Sequence, residues 1–183
     1  MKRHERLGEA RTPNGTLIAL YRHDGAYLIR ADGVELMSTR RHLSEDRLAE
    51  VACAPLRQAA RARVLIGGLG LGFTLREALR QLREDAEVVV AELLAEVIAW
   101  NANPAYGLSA DAMSDPRVRI VHDDVTEVLR TNAGGSIVYW SVGDDPKFAA
   151  TLRGAGLDVR TLPVRAHDTS GPMHTLYVAT PRA

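Results

Sequence analysis

From Arg63 the chain reads Arg-Val-Leu-Ile-Gly-Gly-Leu-Gly-Leu-Gly-Phe-Thr-Leu-Arg, a short apolar strand that runs through Gly67, Gly68, Gly70 and Gly72 into the start of a helix. Glycines let the backbone turn through left-handed conformations and let a ligand approach it closely. The helix that follows offers N–H groups with no partner inside the helix. The spacing narrows the chemistry. A dinucleotide fingerprint, G-x-G-x-x-G/A, counted from Gly68 would place the bulky Phe73 at the position that packs helix against strand. A P-loop requires Gly-Lys-Ser/Thr, and Lys2 and Lys147 are the only lysines of the chain. The turn suits a nucleoside rather than a chain of phosphates.

Two acidic positions could complete such a site. Glu92 closes the run Glu87–Ala91 and lies 20 residues beyond Gly72, where a carboxylate can accept hydrogen bonds from both ribose hydroxyls. Asp123-Asp124 closes the run Val118–Val121, and an aspartate there can accept from an adenine amino group. In doubly wound sheets, ligands sit beyond the carboxyl ends of the strands. The candidate ligand-binding set is therefore Gly67, Gly68, Leu69, Gly70 and Gly72, with Glu92, Leu93, Asp123 and Asp124 from the next two strand ends. No side chain presents itself as a catalytic general base.

The elements that must position these residues follow from periodicity. Val64–Ile66, Glu87–Ala91 and Val118–Val121 are apolar runs of the kind buried on both faces of a parallel sheet. Leu75, Ala78, Leu79 and Leu82 lie at helical spacing between the first two; Leu94, Val97, Ile98 and Asn101 do so between the second and third, ending at Pro104. That β-α-β-α-β order predicts a right-handed, doubly wound α/β sheet. Ser136–Trp140 reads as a later strand and Lys147–Arg153 as a helix opened by Asp144-Asp145. Leu157–Val164 and Thr175–Thr180 read as an antiparallel hairpin around Gly-Pro. Ahead of the sheet, Thr16–Arg22, Ala26–Ala31 and Val34–Ser38 are separated by Asp-Gly turns and predict a small antiparallel meander. Ser44 reads as the N-cap of a helix ending near Pro55. Residues 1–42 are thus expected to form the meander and 43–183 the nucleoside-binding domain.

Composition removes several function classes. A 46% hydrophobic chain of 183 residues can build one core of ordinary size. Zero net charge gives no electrostatic basis for binding nucleic acid or an anionic membrane. Cys53 is the only cysteine, which excludes an intrachain disulfide framework and Cys-based zinc sites; His167 and His174 lack a partner cluster, so no metal is expected. No apolar run approaches the ~20 residues of a membrane span. Met-Lys-Arg-His is not followed by an apolar signal segment. The expected location is cytoplasmic.

The chain resembles the polyamine aminopropyltransferases, the spermidine synthase-like branch of the class I methyltransferase-like fold. The resemblance rests on Asp32-Gly33-Val34-Glu35-Leu36-Met37-Ser38, on the glycine loop through Gly72, on Val90-Ala91-Glu92, on Val121-His122-Asp123-Asp124, and on Gly134-Gly135-Ser136-Ile137-Val138-Tyr139-Trp140-Ser141. It implies that Gly68, Gly70 and Gly72 line a sulfonium nucleoside, that Glu92 holds its ribose, and that Asp124 meets its adenine. It further implies transfer of an aminopropyl group from decarboxylated S-adenosylmethionine to a diamine, and a homodimer. The same pattern also fits an S-adenosylmethionine-dependent methyltransferase acting on a small molecule, or a non-catalytic nucleoside-binding protein.

Two departures from the family pattern stand out. Where the family carries a glutamine and a tyrosine on the amine side, this chain has Leu36-Met37-Ser38 followed by Thr39-Arg40-Arg41-His42. Cations facing that pocket would repel a protonated diamine, whereas an exposed strand-to-helix turn would not. The family also has a further strand ending in an aspartate-rich segment, whose aspartate takes the acceptor's proton. Here Val128-Leu129-Arg130 leads almost directly into Gly134-Gly135, so a segment of roughly forty residues is expected to be missing near 130–132.

Overall fold

Asp24, Gly25, Asp32 and Gly33 all have positive φ, as two-residue hairpin turns of the left-handed type require. The computed structural model describes residues 4–130, 137–141, 144–154, 156–166 and 173–181. Its first sheet is antiparallel, in the order β1 (Glu5–Arg11), β2 (Leu17–His23), β3 (Ala26–Ala31) and β4 (Val34–Ser38). Strand β1 adds to the expected meander. Its sequence, Glu-Arg-Leu-Gly-Glu-Ala-Arg, carries little intrinsic β preference, and pairing with β2 supplies the order. A Cβ placed on Gly8 would come within 2.5 Å of Nε1 of Trp100, so a glycine here leaves room for that indole against the meander. The β3–β4 register slips between Ile29 and Arg30, leaving Leu36 of β4 as the bulged residue without an opposite partner.

Helix α1 (Leu43–Cys53) follows, and the 3₁₀ turn Ala54–Leu56, which contains Pro55, ends it as expected. The N-cap is His42, one residue before the helix, and Ser44 lies inside the first turn, which corrects the expected cap. The Ser44 hydroxyl is engaged elsewhere: it donates to Oε2 of its neighbour Glu45 at 2.5 Å and contacts Nδ1 of the distant His174 at 2.9 Å. Cys53 is fully buried and its thiol is pushed up to about 11 by desolvation, which makes it a packing residue.

The second sheet is parallel, in the order β5 (Arg63–Gly67), β6 (Glu87–Glu92), β7 (Val118–His122), with α2 (Phe73–Gln81), α3 (Ala95–Ala102) and α4 (Ala110–Met113) between its strands and α5 (Val125–Arg130) after it. Central strand β6 is covered on both faces. Val88 and Val90 join the main core with Leu71, Leu75, Val97 and Trp100, while Val89 and Ala91 pack with Val128 of α5. The third sheet is antiparallel, in the order β8 (Ile137–Ser141), β10 (Met173–Pro181), β9 (Leu157–Arg165), with α6 (Pro146–Gly154) between β8 and β9. The expected final hairpin is β9–β10, and β10 inserts beside β8. Oδ1 of Asp145 accepts the N–H groups of Lys147 and Phe148, so this acid opens α6 as expected.

Strands β5 and β8 each end their own sheet, and no pairing joins them among the described residues. The segment expected to be missing near 130–132, and the Gly134-Gly135, His167 and Gly171-Pro172 positions, lie outside the described residues except for Arg130.

The third sheet is tied to α1 by the Leu43 N–H donating to the Ala166 carbonyl at 3.3 Å and by the His174–Ser44–Glu45 chain. With the serine proton on Glu45, Nδ1 of His174 carries the hydrogen of the second bond. Burial raises the Glu45 carboxyl above its ordinary 4.5 and lowers the His174 imidazole below its ordinary 6.5. The folded chain holds the Glu45 proton more tightly than the unfolded chain, so stability is lost as pH rises from 4.5 through the folded value. For His174 the unfolded chain binds the proton more tightly, so stability is lost as pH falls from 6.5 through the folded value. In urea titrations, Glu45→Gln is expected to gain on the parent above pH 4.5 and His174→Asn below pH 6.5. Parallel pH profiles for parent and variants contradict this reading.

Candidate nucleoside-binding site

The glycine spacing has a backbone cause. Gly68, Gly70 and Gly72 have φ of +86°, +56° and +79°, alternating with Leu69 and Leu71, which are 5% and 1% exposed. The loop therefore zigzags: each leucine anchors it in the core, and the left-handed positions flanking the leucines favour glycine. Gly67 and Gly68 lie open at the surface. A Cβ on Gly68 would meet nothing within 4 Å, whereas one on Gly67 would meet Cγ2 of Val125 at 3.0 Å.

The three strand ends are stitched together. The Gly68 N–H donates to the Ala91 carbonyl at 2.8 Å, and the Asp123 N–H donates to the Glu92 carbonyl at 3.1 Å. The buried Glu92 carboxylate accepts the Leu69 N–H at 2.7 Å on one oxygen and the Leu94 N–H at 2.9 Å on the other. An ionised carboxylate offers about four acceptor positions, so this arrangement leaves Glu92 capacity for further donors. Leu93 stands beside it, half-exposed, with its carbonyl 3.1 Å from Nε2 of His122. Asp123 and Asp124 are exposed, and Oδ1 of Asp124 accepts the N–H and hydroxyl of Thr126 at 2.8 Å each, opening α5. The fold thus gathers the sequence-derived residues from three successive strand ends.

The cationic turn after β4 is resolved by pairing. Arg40 donates to the Asp24 carbonyl at 2.6 Å, and Arg41 pairs with Glu35. His42 binds Asp46 at 2.7 Å and stacks on Phe73 at 4.0 Å between ring centroids. Burial raises the Asp46 carboxyl, and the neighbouring His42 opposes that rise. Arg40 and Arg41 form the exposed turn; His42 instead packs against the first residue of α2.

Three residues at the loop escaped the sequence reasoning. Met37 of β4 lies over Gly70, its Sδ and Cε both 2.8 Å from where a Cβ would stand. Ser109 lies under Gly72, its Cβ 2.3 Å from the corresponding point. Asn101 of α3 binds between them and is fully buried. The one signal available was an asparagine within the apolar stripe Leu94, Val97, Ile98 and Asn101, where an unpaired carboxamide would be costly.

Sequence comparison finds no matching family model and no matching curated protein. Structural comparison does find likenesses. A spermidine synthase from Thermotoga maritima superposes with a TM-score of 0.75 at 16% identity, over 97% of this chain and 72% of that one. A spermidine synthase in complex with the transition-state analogue AdoDATO superposes with a TM-score of 0.73, also at 16% identity and over the same shares of the two chains. The fold is spermidine synthase-like. Coverage of 97% carries the spermidine synthase-like match through both the N-terminal meander and the C-terminal sheet. No helix among the described residues is long and apolar enough to cross a membrane.

Proposed function

We propose that the chain is a transferase that uses a sulfonium nucleoside, moving an aminopropyl group from decarboxylated S-adenosylmethionine to a diamine. The observation that carries this reading is the convergence of the Gly68–Gly72 turn, Glu92 and Asp123-Asp124 at adjoining strand ends. The spermidine synthase-like fold supports it, as does the neighbour that binds AdoDATO. In this reading the open backbone at Gly67 and Gly68 admits the nucleoside, Glu92 takes the ribose hydroxyls, and Asp124 takes the adenine amino group. Catalysis is then mainly positioning, because a sulfonium is already a good leaving group and the protein must align a neutral amine behind the carbon it carries.

Two observations favour a second reading as a nucleoside-binding module without turnover. Strands β5 and β8 both end their sheets, and no carboxylate among the described residues stands out to take the acceptor's proton. Calorimetric titration with decarboxylated and intact S-adenosylmethionine, followed by a turnover assay with putrescine, separates the readings. Tighter binding of the decarboxylated form with turnover is the expected result. Tighter binding of the intact form points to methyl transfer, binding without turnover to the second reading, and no binding of either removes the nucleoside site.

A further inference from the structure

The loop from Gly67 to Leu71 contains four peptide planes, and each is pinned by one hydrogen bond. The Gly68 N–H fixes the first through the Ala91 carbonyl at 2.8 Å, and the Leu69 N–H fixes the second through Glu92 at 2.7 Å. The third is fixed by the Leu69 carbonyl, which accepts the Gly72 N–H at 2.9 Å. The fourth, between Gly70 and Leu71, is fixed by a side chain: Nδ2 of Asn101 donates to the Gly70 carbonyl at 2.7 Å. Because a peptide is planar and trans, holding its carbonyl also sets the direction of its N–H.

Asn101 is itself locked. Its second amide hydrogen goes to the Val97 carbonyl at 2.9 Å, and its Oδ1 accepts the Ser109 hydroxyl at 2.7 Å. Turning the amide over would set its oxygen against two carbonyls, so the surroundings dictate its orientation. Asn101 and Ser109 are both 0% exposed, and neither can exchange these bonds for water. The pair touches two of the three left-handed positions, Asn101 at Gly70 and Ser109 beneath Gly72. A helix position needing only to fill space would be served better by alanine or leucine, which leave no carboxamide to satisfy.

We propose that Asn101, oriented by Ser109, is a positioning residue that sets the Gly70 turn in its nucleoside-receiving shape before the ligand arrives. It acts through the backbone and does not touch the ligand. The effect on affinity rests on the nucleoside reading above; the effect on the loop does not.

Asn101→Asp keeps the shape and the Ser109 contact but can donate neither to Gly70 nor to Val97, and Ser109→Ala removes only the orienting hydroxyl. In the ligand-free protein, Asn101→Asp is expected to speed amide hydrogen exchange at Leu69 and Gly72 by about tenfold, with Val88 and Val90 of β6 unchanged. Calorimetry with decarboxylated S-adenosylmethionine is expected to show about tenfold weaker binding for Asn101→Asp and a smaller loss for Ser109→Ala. Leu176→Ala in the third sheet, compared at the same distance below its melting temperature, should bind as the parent does. Parental exchange rates at Leu69 and Gly72 in both variants overturn the proposal, as does an equal affinity loss in Leu176→Ala. A parent that binds no nucleoside, with the exchange effect intact, removes the proposed function and leaves the clamp standing.

Discussion

Gly72→Ala is expected to lower the stability of the chain by about 3 kcal/mol, the sum of a left-handed backbone penalty and overpacking of the core. The residue sits at φ +79°, and the added methyl carbon would stand 2.3 Å from Cβ and 2.5 Å from Oγ of Ser109. Neither contact can relax cheaply. Ser109 is fully buried and its hydroxyl is committed to Asn101, so moving it releases the Gly70 carbonyl as well. Gly15→Ala supplies the control: that glycine has φ +90° with nothing within 4 Å, so only the left-handed backbone penalty of about 1 kcal/mol applies. Urea unfolding of both variants checks the difference. Equal losses would show that the space beneath Gly72 yields more readily than its geometry indicates.

Glu92→Gln should have the larger effect on binding. The carboxylate serves the fold by accepting the Leu69 and Leu94 N–H groups, one on each oxygen. A carboxamide keeps one of those acceptors and turns its NH₂ toward the other donor, at a cost of about 1–3 kcal/mol for an unpaired buried group. If the same carboxylate also holds a ribose, the ligand loses a charge-assisted acceptor, and affinity for decarboxylated S-adenosylmethionine should fall about 100-fold. The two roles separate experimentally. A fall in melting temperature with nucleoside affinity unchanged would make Glu92 a staple of the glycine loop alone, and the ribose role would be withdrawn.

Sequence periodicity and spacing were sufficient for the parallel β5–β6–β7 unit, the Asp-Gly hairpins and the final β9–β10 hairpin. Each depends on local rules: apolar runs of strand length, helical spacing between them, and residue pairs that tolerate positive φ. The glycine loop was legible for the same reason, since Gly68, Gly70 and Gly72 are a backbone requirement written directly as residue type. Strand β1 was not legible, because its order comes from pairing with β2 and from the Trp100 indole that packs against Gly8. Ser44 reads as a cap by local rules alone, because its partner His174 lies 130 positions away.

The sequence by itself determined which acids could meet the loop, by placing Glu92 and Asp123-Asp124 at the ends of successive buried strands. Only the tertiary structure decided how they meet it. Glu92 binds the loop backbone, Arg41 is neutralised by Glu35, and Asn101 and Ser109 hold the turn from beneath. The physical reason is range. Backbone conformation and burial periodicity are set by neighbours along the chain, whereas a buried hydrogen bond is set by whichever polar group the packed core brings within reach, and spacing does not encode that.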